Sequence, residues 1–144
     1  MKKYKFGLGS VLRLRRAEED LARARVAETQ SAVDRATAEL DSRLAAIGAA
    51  RPDPHRSRGA EFQEEREQLR RHATVVAAAR AAEANALAAF RTAREDWEAA
   101  AQRVRALERL DERHREAWLL ESTRAAQAAT DEIAMTHARR DRLT

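Results

Sequence analysis

The chain has no cysteine, which excludes disulfides, thiolate metal sites and a cysteine nucleophile and fits a reducing compartment, with the cytoplasm as the default. Aromatic residues are 4% of its 144 residues, too few large side chains to fill a wide core. Four glycines and two prolines are too few for disordered linkers or turn-rich β structure. The opening Met1-Lys2-Lys3-Tyr4-Lys5 has the charge of a signal-peptide start, but Arg13, Arg15 and Arg16 break the next stretch before an apolar segment forms. The expectation is a chain that is neither exported nor membrane-spanning.

Motifs that carry chemistry are equally scarce. Gly7-Leu8-Gly9 lacks the third glycine, the trailing lysine and the preceding strand of a phosphate-binding loop, and reads as a flexible lead-in to a helix. His55, His72, His114 and His137 each stand without a second histidine three or four residues away, so each reads as solvated rather than metal-ligating. His72 falls on the seam-side stripe of the second helix, as a tolerated edge position. Acid pairs such as Glu95-Asp96 and Asp131-Glu132 have no cavity to raise one pKa above the other. The expectation is a non-enzyme with no catalytic residue, metal or cofactor.

What the chain does have is charge and a seven-residue period. Charged residues are 36% of the sequence and the net charge is +4. Acids and bases interleave along most of it, as in Glu64-Glu65-Arg66-Glu67, which describes a solvated helix face. The ends differ: Lys2, Lys3, Lys5, Arg13, Arg15 and Arg16 meet no acid before Glu18, and Arg139, Arg140 and Arg142 cluster at the other end. In a hairpin these ends would approach each other as one basic pole, suited to an acidic protein surface, anionic lipid or nucleic acid; two solvated tails are the plainer alternative.

Phe62, Leu69 and Val76, then Phe90, Trp97 and Val104, recur at heptad spacing, and Ala79, Ala86, Ala93, Ala100 and Leu107 stand three residues further on. Large and small side chains alternating on one stripe make a coiled-coil seam, and holding the period over many turns implies a left-handed supercoil. No glycine or proline occurs after Gly59, so a helix from about 60 to 140 is predicted, about 120 Å long at 1.5 Å per residue. Before it, Val26, Thr29, Val33, Ala36, Leu40, Leu44 and Ile47 step by threes and fours, with Ser10 as N-cap, giving a first helix of about 10–47. The stretch of about 48–59 holds Gly48, Pro52, Pro54 and Gly59 and is the one credible turn.

The expected architecture is all-α, a long antiparallel two-helix coiled-coil hairpin forming a single domain over 1–144. Residues near Leu40 to Ile47 should meet Phe62 to Leu69, and Val26 should meet Val76 to Glu83. The second helix should then overhang beyond about Trp97, exposing Val104, Leu107, Leu110, Trp118, Leu119, Leu120, Ile133 and Met135 to a partner, unless Tyr4, Phe6 and Leu8 fold back over them. Trp97 reads as core. Trp118 reads equally as an interaction anchor or as packing under the N-terminal segment.

The run from Phe6 through Glu19, Phe-Gly-Leu-Gly-Ser-Val-Leu-Arg-Leu-Arg-Arg-Ala-Glu-Glu, resembles the opening of the flagellar export protein FliJ family. Asp131-Glu132-Ile133-Ala134, with Arg139-Arg140 beyond it, is similar to that family's C-terminal end, and Trp97 through Leu107 resembles its mid-helix pattern. Gly7, Gly9 and the Pro-x-Pro of the turn depart from it. The resemblance implies a non-enzymatic central stalk of the flagellar type III export ATPase, cytoplasmic and peripheral at the inner face of the cell membrane at the flagellar base. It implies as partners a FliI-like ATPase hexamer, an FlhA-like export gate protein, a FliH-like regulator and substrate chaperones, with no nucleic acid. On that resemblance the ring-facing candidates are Leu8, Leu12, Arg15, Arg16, Trp118, Ile133 and Arg139, and the gate-facing candidates Leu40, Leu44, His72 and Ala73. The alternatives are a stalk from a virulence-type secretion system, a basic coiled coil that binds nucleic acid, and a self-associating spacer.

Overall fold

In a computed structural model the protein is described over residues 3–50 and 59–141. Two helices account for nearly all of them: α1, Gly9–Ala49, and α2, Ala60–Asp141. Among the described residues there is no strand. The protein is an all-α helical hairpin, as its sequence predicts, and the proline-containing centre of the predicted turn, with His55, lies outside the described residues. Gly48 does not end α1: the helix runs through it, and Ala50 N–H still donates to the Ala46 carbonyl at 3.1 Å. A glycine inside a helix costs about 1 kcal/mol relative to alanine but does not forbid the turn. Gly59, at φ +69°, has the left-handed backbone that glycine tolerates, one residue before α2.

The start of α1 is capped by backbone rather than by Ser10. The Leu8 carbonyl accepts the Leu12 N–H at 2.9 Å and the Phe6 carbonyl accepts the Gly9 N–H at 3.2 Å. Leu8 therefore occupies the capping position, and Ser10 already lies in the first turn. Both helices consist largely of alanine, arginine and glutamate, strong helix formers. Exposed pairs four residues apart, Arg23 with Glu19 at 3.0 Å and Arg43 with Glu39 at 2.7 Å, support them locally, each by about 0.3–0.5 kcal/mol.

Each helix contributes to two compact units, Glu18–Ala100, called central here, and Met1–Ala17 with Ala101–Thr144, called terminal. In the central unit Thr29, Val33 and Leu40 of α1 and Val76, Ala79, Ala93 and Ala100 of α2 are buried. Leu40, Val76 and Ala79 form one cluster, with Ile47 packed against it. Thr29 is tolerated in the seam because its hydroxyl donates to its own helix, 2.9 Å from the Arg25 carbonyl and 3.0 Å from that of Val26. Across the pair, the Thr37 hydroxyl donates to Glu83 Oε1 at 2.9 Å.

These contacts show antiparallel pairing and correct the expected register. Leu40 meets Val76 and Ala79 rather than Phe62 to Leu69. Twelve residues on from Thr37 along α1 is Ala49, and twelve back from Glu83 along α2 is Arg71, so α2 begins before α1 has a residue level with it. Phe62 and Leu69, which continue the heptad pattern, are accordingly 53% and 38% exposed.

In the terminal unit Leu12, Ala101 and Val104 are buried, with Leu107 and Leu110 half-buried. Arg16 Nη2 lies 2.8 Å from Glu108 Oε1, again with α1 antiparallel to α2. Residues 123–140 are all exposed. The overhang expected beyond about Trp97 thus begins some 25 residues later along α2, because the shifted register carries α1 past Glu108 and the residues before α1 cover the helix from Asp111 to Trp118.

Candidate partner-binding surface

Residues 3–8 precede α1 as a short strap without helix, and their side chains dock on one face of α2. Tyr4 and Phe6 are two apart, a spacing that puts both rings on the same side of an extended backbone. Asp111, His114, Arg115 and Trp118 step by three and four along α2 and share a face. The Tyr4 hydroxyl donates to Asp111 Oδ1 at 2.7 Å and lies 3.1 Å from that residue's carbonyl oxygen. Its ring centroid is 5.9 Å from that of Trp118, tilted by 52°, and the Arg115 guanidinium sits 5.7 Å from it. Phe6 meets His114 edge-on at 5.9 Å. Burial raises the Tyr4 phenol pKa above its ordinary value; the hydrogen bond to Asp111 and that carboxylate's charge add to the rise, and Arg115 opposes it.

The ring-facing candidates do not form one compact site. Leu12 is buried in the seam, Leu8 is exposed at the cap, Arg15 is half-buried and Arg16 pairs with Glu108. Trp118 is half-buried under Tyr4, the packing alternative of its two sequence readings. Ile133 and Arg139 are exposed 15 and 21 residues further along α2, about 22 and 31 Å at 1.5 Å per residue. For the same reason the single basic pole expected from the sequence is not formed: the strap's lysines lie beside 111–118, whereas Arg139 and Arg140 lie well beyond. Lys2 and Arg142 fall outside the described residues.

The gate-facing candidates lie in the central unit. Leu40 belongs to the buried cluster, while Leu44 is exposed, His72 half-buried and Ala73 exposed. The register that sets Leu40 against Val76 brings Leu44, one turn on, level with His72 and Ala73.

The contacts least visible in the sequence are those of Asp111, His114 and Arg115. The only signal for them is the pairing of an aromatic-x-aromatic strap with a helix face of matching chemistry. Trp97 is half-buried, and its indole N–H is buried without an acceptor among the described residues.

Concave stretches of the surface are one-walled. One is lined by Ala106, Arg109, Glu112, Arg113 and Glu116, all on α2, and another by Glu61, Glu64, Glu65 and Gln68. Neither encloses a reactant. Among the described residues no group of three or more His, Cys, Asp or Glu side chains is placed to hold a metal ion, and no helix is long and apolar enough to cross a membrane.

No curated protein and no solved structure matches the chain. The family model described as Flagellar FliJ protein matches residues 4–143, from the strap to the far end of α2. With nearly its whole length matched, the chain belongs to the flagellar FliJ protein family.

Proposed function

We propose that this protein is a non-enzymatic central stalk and escort of the flagellar type III export apparatus, acting as a single coiled-coil domain over residues 1–144. A role related to flagellar export comes with its family. The finer reading has it promote assembly or activity of a FliI-like export ATPase ring and couple that ring to an FlhA-like export gate, a FliH-like regulator and substrate chaperones. It would work in the cytoplasm, peripheral to the inner face of the cell membrane at the flagellar base.

The observation that carries this reading is the stretch 123–140 of α2, a helix exposed along its whole length with Ile133 60% exposed. Its hydroxyl groups are turned back on its own backbone: Thr130 donates to the Ala126 carbonyl at 2.9 Å and Thr136 to that of Glu132 at 2.8 Å. The side chains it leaves to a partner are therefore mainly apolar and basic, Ile133, Met135 and Arg139. A helix that finds no cover within its own unit suits insertion into another protein.

In this reading Leu8, Arg15, Arg16, Trp118, Ile133 and Arg139 face the ring, and Leu12 holds the helix pair that presents them. Leu44, His72 and Ala73 face the gate, supported from beneath by Leu40. The test is ATP hydrolysis by the export ATPase of the same bacterium, with and without this protein. Wild type should stimulate hydrolysis, and the double variant Ile133→Asp, Arg139→Glu should lose the stimulation at unchanged far-UV ellipticity. Absence of both stimulation and binding by wild type would refute the reading.

A further inference from the structure

We infer that the strap of residues 3–8 is a reversible cover over the Trp118 face of α2, and that its opening regulates the ring contact proposed above, on which this second half rests. The strap has no helix of its own, and among the described residues side chains hold it to α2. One is the Tyr4 hydroxyl on Asp111, at 2.7 Å. Another is the Tyr4 ring against Trp118 and Arg115, and a further one is Phe6 against His114. Lys3 and Lys5, alternating with the two rings, are exposed.

The joint between strap and helix is lightly built. Residues 7 and 8 form a turn, and nothing lies within 4 Å of where a Cβ on Gly7 or Gly9 would stand. Gly7, which lies before the capping Leu8, gives the backbone its widest freedom there, and a swing at that point breaks the Phe6 carbonyl bond to the Gly9 N–H at 3.2 Å while leaving the Leu8–Leu12 bond in place. The hydrogen bond and the ring contacts are largely offset by the entropy of ordering six residues, so the strap is held closed by a narrow margin.

When the strap is closed, the indole of Trp118 lies beneath Tyr4. When it opens, the indole of Trp118 is bared little more than one turn before the exposed stretch 123–140, on the side of α2 to which Ile133 returns within about 60°. The cover therefore masks the start of the face that the ring would read. A partner that needs this face binds only the open fraction, so its apparent affinity is reduced in proportion to that fraction.

The strap is tested first without any partner. In a Trp97→Phe background, where Trp118 is the only tryptophan, acrylamide quenching of its fluorescence is compared for wild type, Tyr4→Phe and Tyr4→Ala. Tyr4→Ala should raise the quenching constant about twofold, as a half-covered indole becomes bare, with Tyr4→Phe between the two. Far-UV ellipticity should stay unchanged. Unchanged quenching, or a fall in ellipticity, overturns the cover, because the strap would then be absent as a shield or part of the fold itself.

The second arm titrates each full-length variant into the export ATPase. Tyr4→Ala should lower the half-stimulating concentration at least about twofold, the least gain expected from releasing a strap that is closed more than half the time. Raised quenching with an unchanged half-stimulating concentration overturns the regulatory half of the inference. If wild type fails to stimulate at all, it is the stalk reading that fails, and the quenching comparison still decides whether the strap opens.

Discussion

Leu12 and Leu14 stand two residues apart on α1, yet one is 7% exposed and the other 58%. Both fall in the Val-Leu-x-Leu-Arg run that resembles the FliJ family's opening, so sequence alone treats them alike. Leu12→Asp puts a charge into the seam one turn before the Arg16–Glu108 pair and should destabilise the protein by at least about 2 kcal/mol. Leu14→Asp should stay within about 0.5 kcal/mol of wild type. Thermal melting monitored by ellipticity at 222 nm checks both, and equal effects would mean that Leu12 is not a packing residue. Tyr4 gives a second test at this scale. Its phenol pKa is raised in the folded protein, so its stabilising contribution is complete below the ordinary tyrosine pKa of about 10 and is lost as pH rises through the higher folded value. A phenolate there would face the Asp111 carboxylate. Titration of tyrosine absorbance should show the single tyrosine ionising later than in Asp111→Asn, with Trp118 becoming exposed as ionisation proceeds in the same alkaline range.

The elements were legible from the seven-residue period because Val76, Ala79, Ala93, Ala100 and Val104 share one helix face and all are buried. Alanine in a seam lets the partner backbone come close, which leaves no room for a larger side chain. Ala93→Leu, at a site 4% exposed, should therefore cost about 1–3 kcal/mol by overpacking. Ala99→Leu, six residues on and exposed, should change little, and guanidinium unfolding of the pair measures the difference. Periodicity states which face is buried but not the level at which two helices meet. Phe62 and Leu69 keep the period and are exposed, since the register fixed by Leu40 against Val76 and by Thr37 against Glu83 carries them past the end of α1. The strap was legible only in outline. Tyr4 and Phe6 invited a fold-back, but the helix face that receives them has no repeat to announce it, because Asp111, His114 and Arg115 belong to the charged pattern of a solvated helix.

For the whole molecule, the match to the flagellar FliJ protein over residues 4–143 includes both the strap and the long exposed end of α2. The candidate residues therefore divide by what surrounds them. Leu12 and Leu40 are buried in packing, Trp118 is half-buried against Tyr4, and Ile133 and Arg139 are exposed. Interleaved acids and bases leave a net charge of only +4 on 144 residues, so the molecule as a whole exerts little long-range pull, and recognition has to rest on local faces. A central stalk makes a demand that an escort binding each subunit separately does not, because a ring has one axis. The most direct measurement is a titration of the full-length protein into a fixed concentration of the assembled export ATPase, with ATP hydrolysis monitored to saturation. The stalk account predicts stimulation that saturates at one chain per ring; saturation at one chain per ATPase subunit, or no stimulation at any ratio, would contradict it.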